Sequence, residues 1–298
     1  MNSAIGNKIY INGKLTPQEE AWVSTLDRGF TLGDGVFETM RLSNGRIFRL
    51  AQHLARLIRS AASIQLPMPM PEQDFGAALY RVAATNGLAE AILRLTVTRG
   101  VPAGRGVLPT GRIEPTVVIQ PSPFAPPSPQ KYEEGFRAIT ASIRRNETSP
   151  TAFAKTGNYL DNIVARLEAA ATGADEAIML NTAGLVASGT SSNLFLVRDA
   201  RLLTPSINTG VLAGITRAAI IEIAGKMGIA VCEQAIDPAD LVSVGECFFT
   251  NTVIGVMPLV ILDSMVIGTG KPGPVTTGLR EAYEGLVKAE TMDRTATG

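Results

Sequence analysis

The stretch "SPTAFAKTGNYLDNIVARLEAAATG", residues 149–173, holds two kinds of local code. In its second half Leu160, Ile163, Val164 and Leu167 recur at the spacing of one helix face, and Gly173 supplies a stop, so the spacing predicts a helix with those four residues as its buried stripe. In its first half Lys155, one of seven lysines in the chain, stands among small apolar residues ahead of that helix instead of on a charged face. A lysine buried in such surroundings loses the hydration that favours its charge, so the expectation is a buried amine with a chemical task.

Upstream, "FRAITASI" (136–143) reads as a strand. Downstream, "EAIMLNTAGLVASGTSSNLFLVRDARLLTP" (176–205) reads as an antiparallel meander with tight turns near Thr182–Gly184 and Arg198–Ala200. A helix follows near residue 216, "ECFFTNTVIGVMPLVIL" (246–262) returns as a buried strand, and a final amphipathic helix ends near Glu290. The segment "QPSPFAPPSPQ" (120–130) has five prolines in eleven positions, which excludes helix and central strand and predicts a connector between domains 1–119 and 131–298. In the first domain, "RLAQHLARLIRSAASI" (49–64) carries Leu50, Leu54, Leu57 and Ile58 at helical spacing. "AILRLTVTRG" (91–100) sets Leu93, Leu95 and Val97 on one strand face and Arg94, Thr96 and Thr98 on the other, toward solvent or a polar pocket. Periodicity alone supports a mixed α/β (α+β) fold.

Composition narrows the chemistry. With 27 basic and 27 acidic residues and no polybasic stripe, neither nucleic acid nor an anionic membrane is an expected partner, and a small molecule is. No apolar run reaches membrane-spanning length and the start lacks a signal-peptide pattern, so the expectation is a soluble cytoplasmic protein. Cys232 and Cys247 have no ligand-like spacing and lie in apolar runs, as reduced core cysteines would. The single histidine, His53, leaves a serine triad or a multi-histidine zinc site without its parts, so no metal is expected.

What remains is lysine, carboxylate, backbone and a borrowed organic cofactor. "VLAGITRAAIIEIAGKMG" opens a helix after Gly214 at Ile215 and Thr216, where free amides, the dipole and a hydroxyl would suit a phosphate; a plain threonine N-cap is the structural alternative. Thr252, in a run read as buried strand, and Arg56, off the leucine face of its helix, are further candidate donors, although an arginine there can also simply reach solvent. An amine, an anion site and such donors are the parts of a pyridoxal phosphate site.

In order and spacing, "DRGFTLGDGVFETMRLSNGRIFRLAQHLARL", "KTGNYLDNIVARLEA", "GADEAIMLNTAGLVASGTSSNLFLV", "LAGITRAAII" and "ECFFTNTVIGVMPL" resemble the class IV aminotransferases, the fold type IV pyridoxal 5′-phosphate enzymes that include branched-chain aminotransferases, D-amino acid transaminases and aminodeoxychorismate lyases. The resemblance spans nearly the whole chain. It implies two domains, the second with an antiparallel barrel-like sheet and helices outside, and a homodimer acting on an amino acid and a 2-oxo acid. It implies Lys155 as the Schiff-base lysine, Arg56 and the Ile215 and Thr216 amides as phosphate binders, Thr252 as a phosphate or carboxylate contact, and Tyr159 facing the cofactor's phenolic oxygen. Phe37, Arg94, Arg105 and Val253 fall at substrate-side positions.

One position departs. Ser188 in "GLVASGTSSNLF" stands where the family usually has a glutamate paired with the pyridine nitrogen, and serine can hydrogen-bond that nitrogen without holding its proton electrostatically. Neighbouring Asp175 and Glu176 read as solvated. Three functions stay open: an aminotransferase; a 4-amino-4-deoxychorismate lyase releasing pyruvate and 4-aminobenzoate; and a cofactor-binding homologue weakened by Ser188. "GDGVFETM", "RGVPAGRG" and "TNTVIGVMP" lean toward the lyase branch, Val107 departs from its "GRGY" pattern, and "KTGNYLDN" is shared with transaminases.

Overall fold

The computed structural model describes residues 8–104 and 106–292. The chain divides into two compact units, one of residues 1–124, 154–158 and 287–298, the other of residues 125–153 and 159–286. The division falls inside the proline-rich stretch, but the short segment bearing Lys155 groups with the N-terminal unit and not with the sequence that flanks it.

The first unit is built on an antiparallel sheet of β1 (Lys8–Ile11), β2 (Lys14–Pro17), β3 (Gly35–Ser43), β4 (Arg46–Ile47), β5 (Ala91–Thr98) and β6 (Thr116–Ser122), in the order β2-β1-β6-β5-β3-β4. Its helices are α1 (Arg28–Leu32), α2 (Leu50–Ser63) and α3 (Glu72–Thr85). The alternation in β5 is realised: Leu93, Leu95 and Val97 enter a core with Met40 and Leu42 of β3, Leu54 and Leu57 of α2, and Leu79 and Val82 of α3, while Arg94 on the opposite face is exposed. Each such side chain withdrawn from water contributes roughly 1.5–3 kcal/mol before entropy is counted. Ile58, grouped with the leucines by spacing, lies on the open side of α2.

The proline-rich stretch is more than a connector. Residues 120–122 finish β6, with Pro121 opposite Leu93. Because β1 pairs with β6 only at Val118 and Ile119, Pro121 lies past the part flanked on both sides, where a missing N–H is tolerated. Its end opens α4 (Pro129–Glu134), capped by Ser128 and with proline at the first helical position, where no amide hydrogen is needed.

Gly100 takes φ +91°, and a Cβ there would strike the Glu114 carbonyl. Gly100→Ala is expected to lower unfolding free energy by roughly 2–4 kcal/mol, read as a reduced urea midpoint, because neither backbone can retreat.

The second unit carries β7 (Phe136–Arg145), β8 (Glu176–Asn181), β9 (Val186–Gly189), β10 (Asn193–Arg198), β11 (Arg201–Pro205), β12 (Val231–Gln234), β13 (Glu246–Asn251), β14 (Gly255–Leu262) and β15 (Met265–Val266). They form one curled half-barrel sheet in the order β12-β11-β10-β13-β14-β7-β8-β9, with β15 beside β14. The sheet is mixed and not purely antiparallel: β7 runs parallel to β8 and β14, and β11 to β12. The reason is connection length, since α5 (Leu160–Ala171) carries the chain from β7 to β8 and α6 (Ile215–Lys226) from β11 to β12, as parallel crossovers require. The turn after β10 is the expected two-residue hairpin, with Asp199 and Ala200 at φ 50° and 57°. The last helix is α7 (Pro274–Thr291), and no helix among the described residues is long and apolar enough to cross a membrane.

Three expectations change here. The run 246–262 is two strands joined by a turn at 252–254. Cys232 is exposed on β12 while Cys247 is buried; both are free thiols, and burial pushes the Cys247 thiol pKa up. In α5 the predicted stripe faces outward, with Leu160 70 % and Leu167 63 % exposed, and Ala165 and Ala169 are the buried pair, against Ala141, Ala177 and Met179. Small residues let the helix lie close to the sheet, and the larger apolar ones then occupy the opposite face.

Candidate active site

In the first unit Lys155 is fixed through its backbone. Phe37 N donates to Lys155 O (2.9 Å), Gly157 N donates to Gly35 O (2.9 Å), and Val36 and Thr156 form an antiparallel bridge, so residues 155–157 pair with the end of β3. From α2, Ser60 Oγ accepts Lys155 N (3.1 Å). The side chain is half-buried, short of the full burial its neighbours suggested, because its amine rests on an aromatic face: Nζ lies 4.3 Å from the Phe37 ring centroid. Arg94 lies against the same ring at 3.8 Å, so Lys155, Phe37 and Arg94 are brought together.

Arg56 is buried and faces β3. Its Nε and Nη2 donate to the two carboxylate oxygens of Glu38, both at 2.7 Å, and Nδ1 of His53 lies 2.7 Å from Glu38 Oε2. His53, Arg56 and Ser60 occupy positions i, i+3 and i+7 of α2 and form one buried polar stripe. Burial raises the Glu38 pKa, yet hydrogen bonds and charge from Arg56 and His53 outweigh it and bring the carboxyl down to about 2. His53 is shifted down, first by burial and then by the charges of Arg56 and Lys155, against the pull of Glu38. A neutral imidazole beside a carboxylate must donate, which assigns the proton to Nδ1.

Arg105 lies outside the described residues. The loop that follows it is gripped by Arg28, whose Nη1 and Nη2 donate to the carbonyls of Gly106 (2.8 Å) and Val107 (2.6 Å). Asp34 holds Arg28 (2.7 Å) and Arg99 (2.8 Å); burial raises its pKa, but the two guanidiniums win and lower it. Arg28 and Asp34 stand in the quoted motif "DRGFTLGDG", where local spacing assigns them no role.

In the second unit Tyr159 occupies the N-cap position of α5. Arg145, half-buried nearby, donates from Nη2 to the carbonyl of Ala152 (2.6 Å); desolvation lowers its pKa, and Tyr159 and Asp161 act the other way. Ser188 is buried in β9 and its hydroxyl donates to Gly189 O (2.8 Å). The turn after it is held on two sides, by Asn162 donating to Thr190 O (2.6 Å) and by Glu176 accepting Thr190 N (3.2 Å) and Oγ1 (2.5 Å). Glu176 is thus 3 % exposed, not solvated, and Arg166 pairs with it at 3.0 Å. Asp175 likewise has partners, in Arg137 N (2.9 Å) and Lys131 (2.8 Å).

Ile215 and Thr216 open α6 and are buried; Gly214 at the N-cap supplies no side chain to the first-turn amides, and a Cβ there would collide with Asn193 Oδ1. Asn193 pairs with Thr250 across β10 and β13. The hydroxyls of Ser192 and Thr250 are buried without a hydrogen-bond partner among the described residues. Thr250 is therefore the threonine buried in the strand, and Thr252 stands in the following turn, half-buried. Val253 N and Ile254 N, in that turn, both donate to Asn251 Oδ1 at 2.9 Å. Val253, Tyr159, Asn162, Arg166 and Thr190 border a cavity of about 520 Å³. An uncapped helix N-terminus beside a strand pair with unsatisfied hydroxyls fits a phosphate group, so the donor set suits the cofactor inferred from sequence.

Residues 35–261 match the family model for amino-transferase class IV. An enzyme from Methanocaldococcus jannaschii, provisionally named a branched-chain-amino-acid aminotransferase, is 36 % identical over 282 residues, covering 94 % of this chain and 96 % of its own. The solved branched-chain amino acid aminotransferase of Escherichia coli superposes with a TM-score of 0.92 at 31 % identity, over 98 % of both chains. The branched-chain amino acid aminotransferase of T.th., solved with pyridoxamine 5′-phosphate, gives 0.91 at 32 % identity over 95 % of both. A Legionella pneumophila protein, provisionally named a 4-amino-4-deoxychorismate lyase, gives 0.82 at 26 % identity, over 89 % of this chain and 96 % of its own. With a family match over most of its length and relatives of this identity, the chain belongs to the class IV aminotransferases.

Proposed function

We propose that this enzyme uses pyridoxal 5′-phosphate to move an amino group between an amino acid of the branched-chain class and a 2-oxo acid. The observation that carries the reading is Lys155, pinned by backbone bonds to β3 and Ser60 with its amine on the Phe37 ring beside Arg94. The relatives named as branched-chain aminotransferases support the substrate class.

In this reading Lys155 would hold the cofactor through its amine and, once the substrate's own amine has displaced it, would take the substrate α-proton as general base. Arg56 and the amides of Ile215 and Thr216 bind the phosphate, with Thr252 as a further donor, and Tyr159 meets the phenolic oxygen. Phe37, Arg94 and Val253 border the substrate, and Arg105 meets its carboxylate. When bound, the cofactor supplies an electron sink for the pair left at the α-carbon. The protein is proposed to work as a homodimer, and the outward apolar face of α5 supports association; sedimentation equilibrium tests it.

The first test is the visible spectrum of the purified protein before and after adding L-leucine, L-valine or D-alanine without an acceptor. Conversion of the cofactor band to that of the amine form by a branched-chain substrate supports the reading, and a band that no amino acid moves counts against it. The lyase reading is favoured by the Legionella structure, and release of 4-aminobenzoate without a new amino acid would establish it.

Ser188 bears on rate. Its hydroxyl proton is already given to Gly189 O, so toward a ring nitrogen the oxygen is left as an uncharged acceptor. Ser188→Glu is expected to raise the half-reaction rate by about tenfold if a neutral partner at this position limits proton removal, since one pKa unit of added stabilisation is worth about 1.36 kcal/mol. Stopped-flow absorbance reads it, and an unchanged rate in a folded variant would remove Ser188 as the cause of any weakness.

A further inference from the structure

The buried group on β3 that the proposed chemistry does not use is Glu38. It has no exposed surface, and both of its oxygens are spent on α2: Oε1 on Arg56 Nε, Oε2 on Arg56 Nη2 and His53 Nδ1. Two parallel bonds to a planar guanidinium fix its rotation as well as its place, which a single charge contact would not. The Nε–Nη2 edge therefore faces the sheet. His53, one turn before Arg56 on the same helix, closes the far side of the carboxylate and keeps it from turning. Glu38 follows Phe37, whose amide holds Lys155, so one strand end sets both the amine and the guanidinium.

We propose that Glu38, with His53 behind it, is a positioning residue for phosphate-monoester recognition: it orients Arg56 so that the guanidinium presents one defined side to the cofactor phosphate. The inference rests on the reading that Arg56 binds that phosphate, and it makes Glu38 neither a ligand nor a proton carrier. A carboxylate beside an anion site would ordinarily repel the anion; committed on both oxygens to Arg56 and His53, it serves as the brace of the cation that attracts it.

The test compares the affinity of resolved enzyme for pyridoxal 5′-phosphate and for pyridoxal, which lacks the phosphate, by absorbance titration. In Glu38→Gln one of the two parallel bonds becomes a donor facing a donor. Discrimination in favour of the phosphate ester is expected to fall about tenfold, as for other outer partners that orient a binding group, with pyridoxal affinity held within about twofold and part of the loss restored in Glu38→Asp. Equal loss for both ligands would mean that Glu38 only supports the fold, and would overturn the proposal. Wild-type discrimination in Glu38→Gln together with a loss in Arg56→Lys would also overturn it, while leaving Arg56 as a phosphate binder. If both variants discriminate as wild type, the phosphate reading of Arg56 falls as well. Should Glu38→Gln fail to fold, Glu38→Asp carries the test: it keeps the charge but reaches less far toward Arg56, so a partial loss of discrimination with pyridoxal affinity held supports the proposal, and wild-type discrimination overturns it.

Discussion

Alanine in place of Lys155 is expected to abolish the covalent link to the cofactor and lower turnover at least about a thousandfold, some 4 kcal/mol of transition-state free energy. No other lysine is expected to take its place. The other six are Lys8, Lys14, Lys131, Lys226, Lys271 and Lys288; in the first unit Lys8 and Lys14 lie on β1 and β2, at the far end of the sheet order from β3, Lys288 is exposed in the last turn of α7, and the amine over Phe37 is that of Lys155. The fold should survive the change. The bonds that seat residue 155 run through its own backbone and those of Phe37 and Gly157, together with the Ser60 hydroxyl, and alanine keeps the backbone groups. A shift in unfolding free energy within about 0.5 kcal/mol is therefore expected, as for partly exposed positions. Borohydride reduction followed by peptide mass measurement reads the link directly: wild type should carry the cofactor on the peptide containing residue 155 and the variant on none. A reduced adduct retained by the variant would place the anchor elsewhere and sink the assignment.

Lys155 stands out in the sequence as a candidate because small apolar neighbours around a lone amine are unusual, although those neighbours suggest more burial than its side chain has, and β5 was legible because strict alternation has one meaning in an antiparallel sheet. The brace behind Arg56 was not. His53 and Arg56 share α2, but Glu38 lies on β3, so the meeting of the three depends on β3 packing beneath α2, which no local spacing encodes. The outward stripe of α5 failed for a different reason. Both faces of that helix are apolar, one with alanines and one with leucine, isoleucine and valine, and periodicity cannot tell which is covered when the close approach of a sheet favours the smaller set. Thr252 reads as a strand residue but stands in a turn, because a continuous apolar run conceals the break; Asn251, which caps the amides of Val253 and Ile254, is the one local signal of it. Glu176 reads as solvated because carboxylates are ordinarily exposed, and its burial follows from Thr190 and Arg166, which pairing of β8 with β9 and packing of α5 bring to it.

Methionine in place of Arg56 should give the largest loss of stability, about 3–5 kcal/mol at neutral pH, because it leaves the fully buried Glu38 carboxylate without its cation. The pH dependence identifies the cause. In wild type the Glu38 pKa is lowered from 4.5 to about 2, so its pairing stabilises the fold fully above pH 4.5 and is lost as pH falls from 4.5 toward 2. His53, whose pKa is also lowered in the fold, adds loss in the same direction as pH falls below 6.5. In the variant, burial becomes the dominant influence on Glu38, and the folded pKa moves above 4.5. The linkage of that group then reverses: the unfolded chain gives up the proton first, so raising the pH from about 4.5 upward destabilises the fold. The gap between wild type and variant should accordingly be narrow near about pH 3 and widest at about pH 7, which urea unfolding across that range would record. Removing both charges, as Glu38→Gln with Arg56→Met, should recover most of the stability, since a buried pair replaced by neutral side chains of similar shape costs little while a buried charge left alone costs much. A gap that stays constant with pH would mean that lost packing of the Arg56 side chain, and not the stranded carboxylate, accounts for the destabilisation.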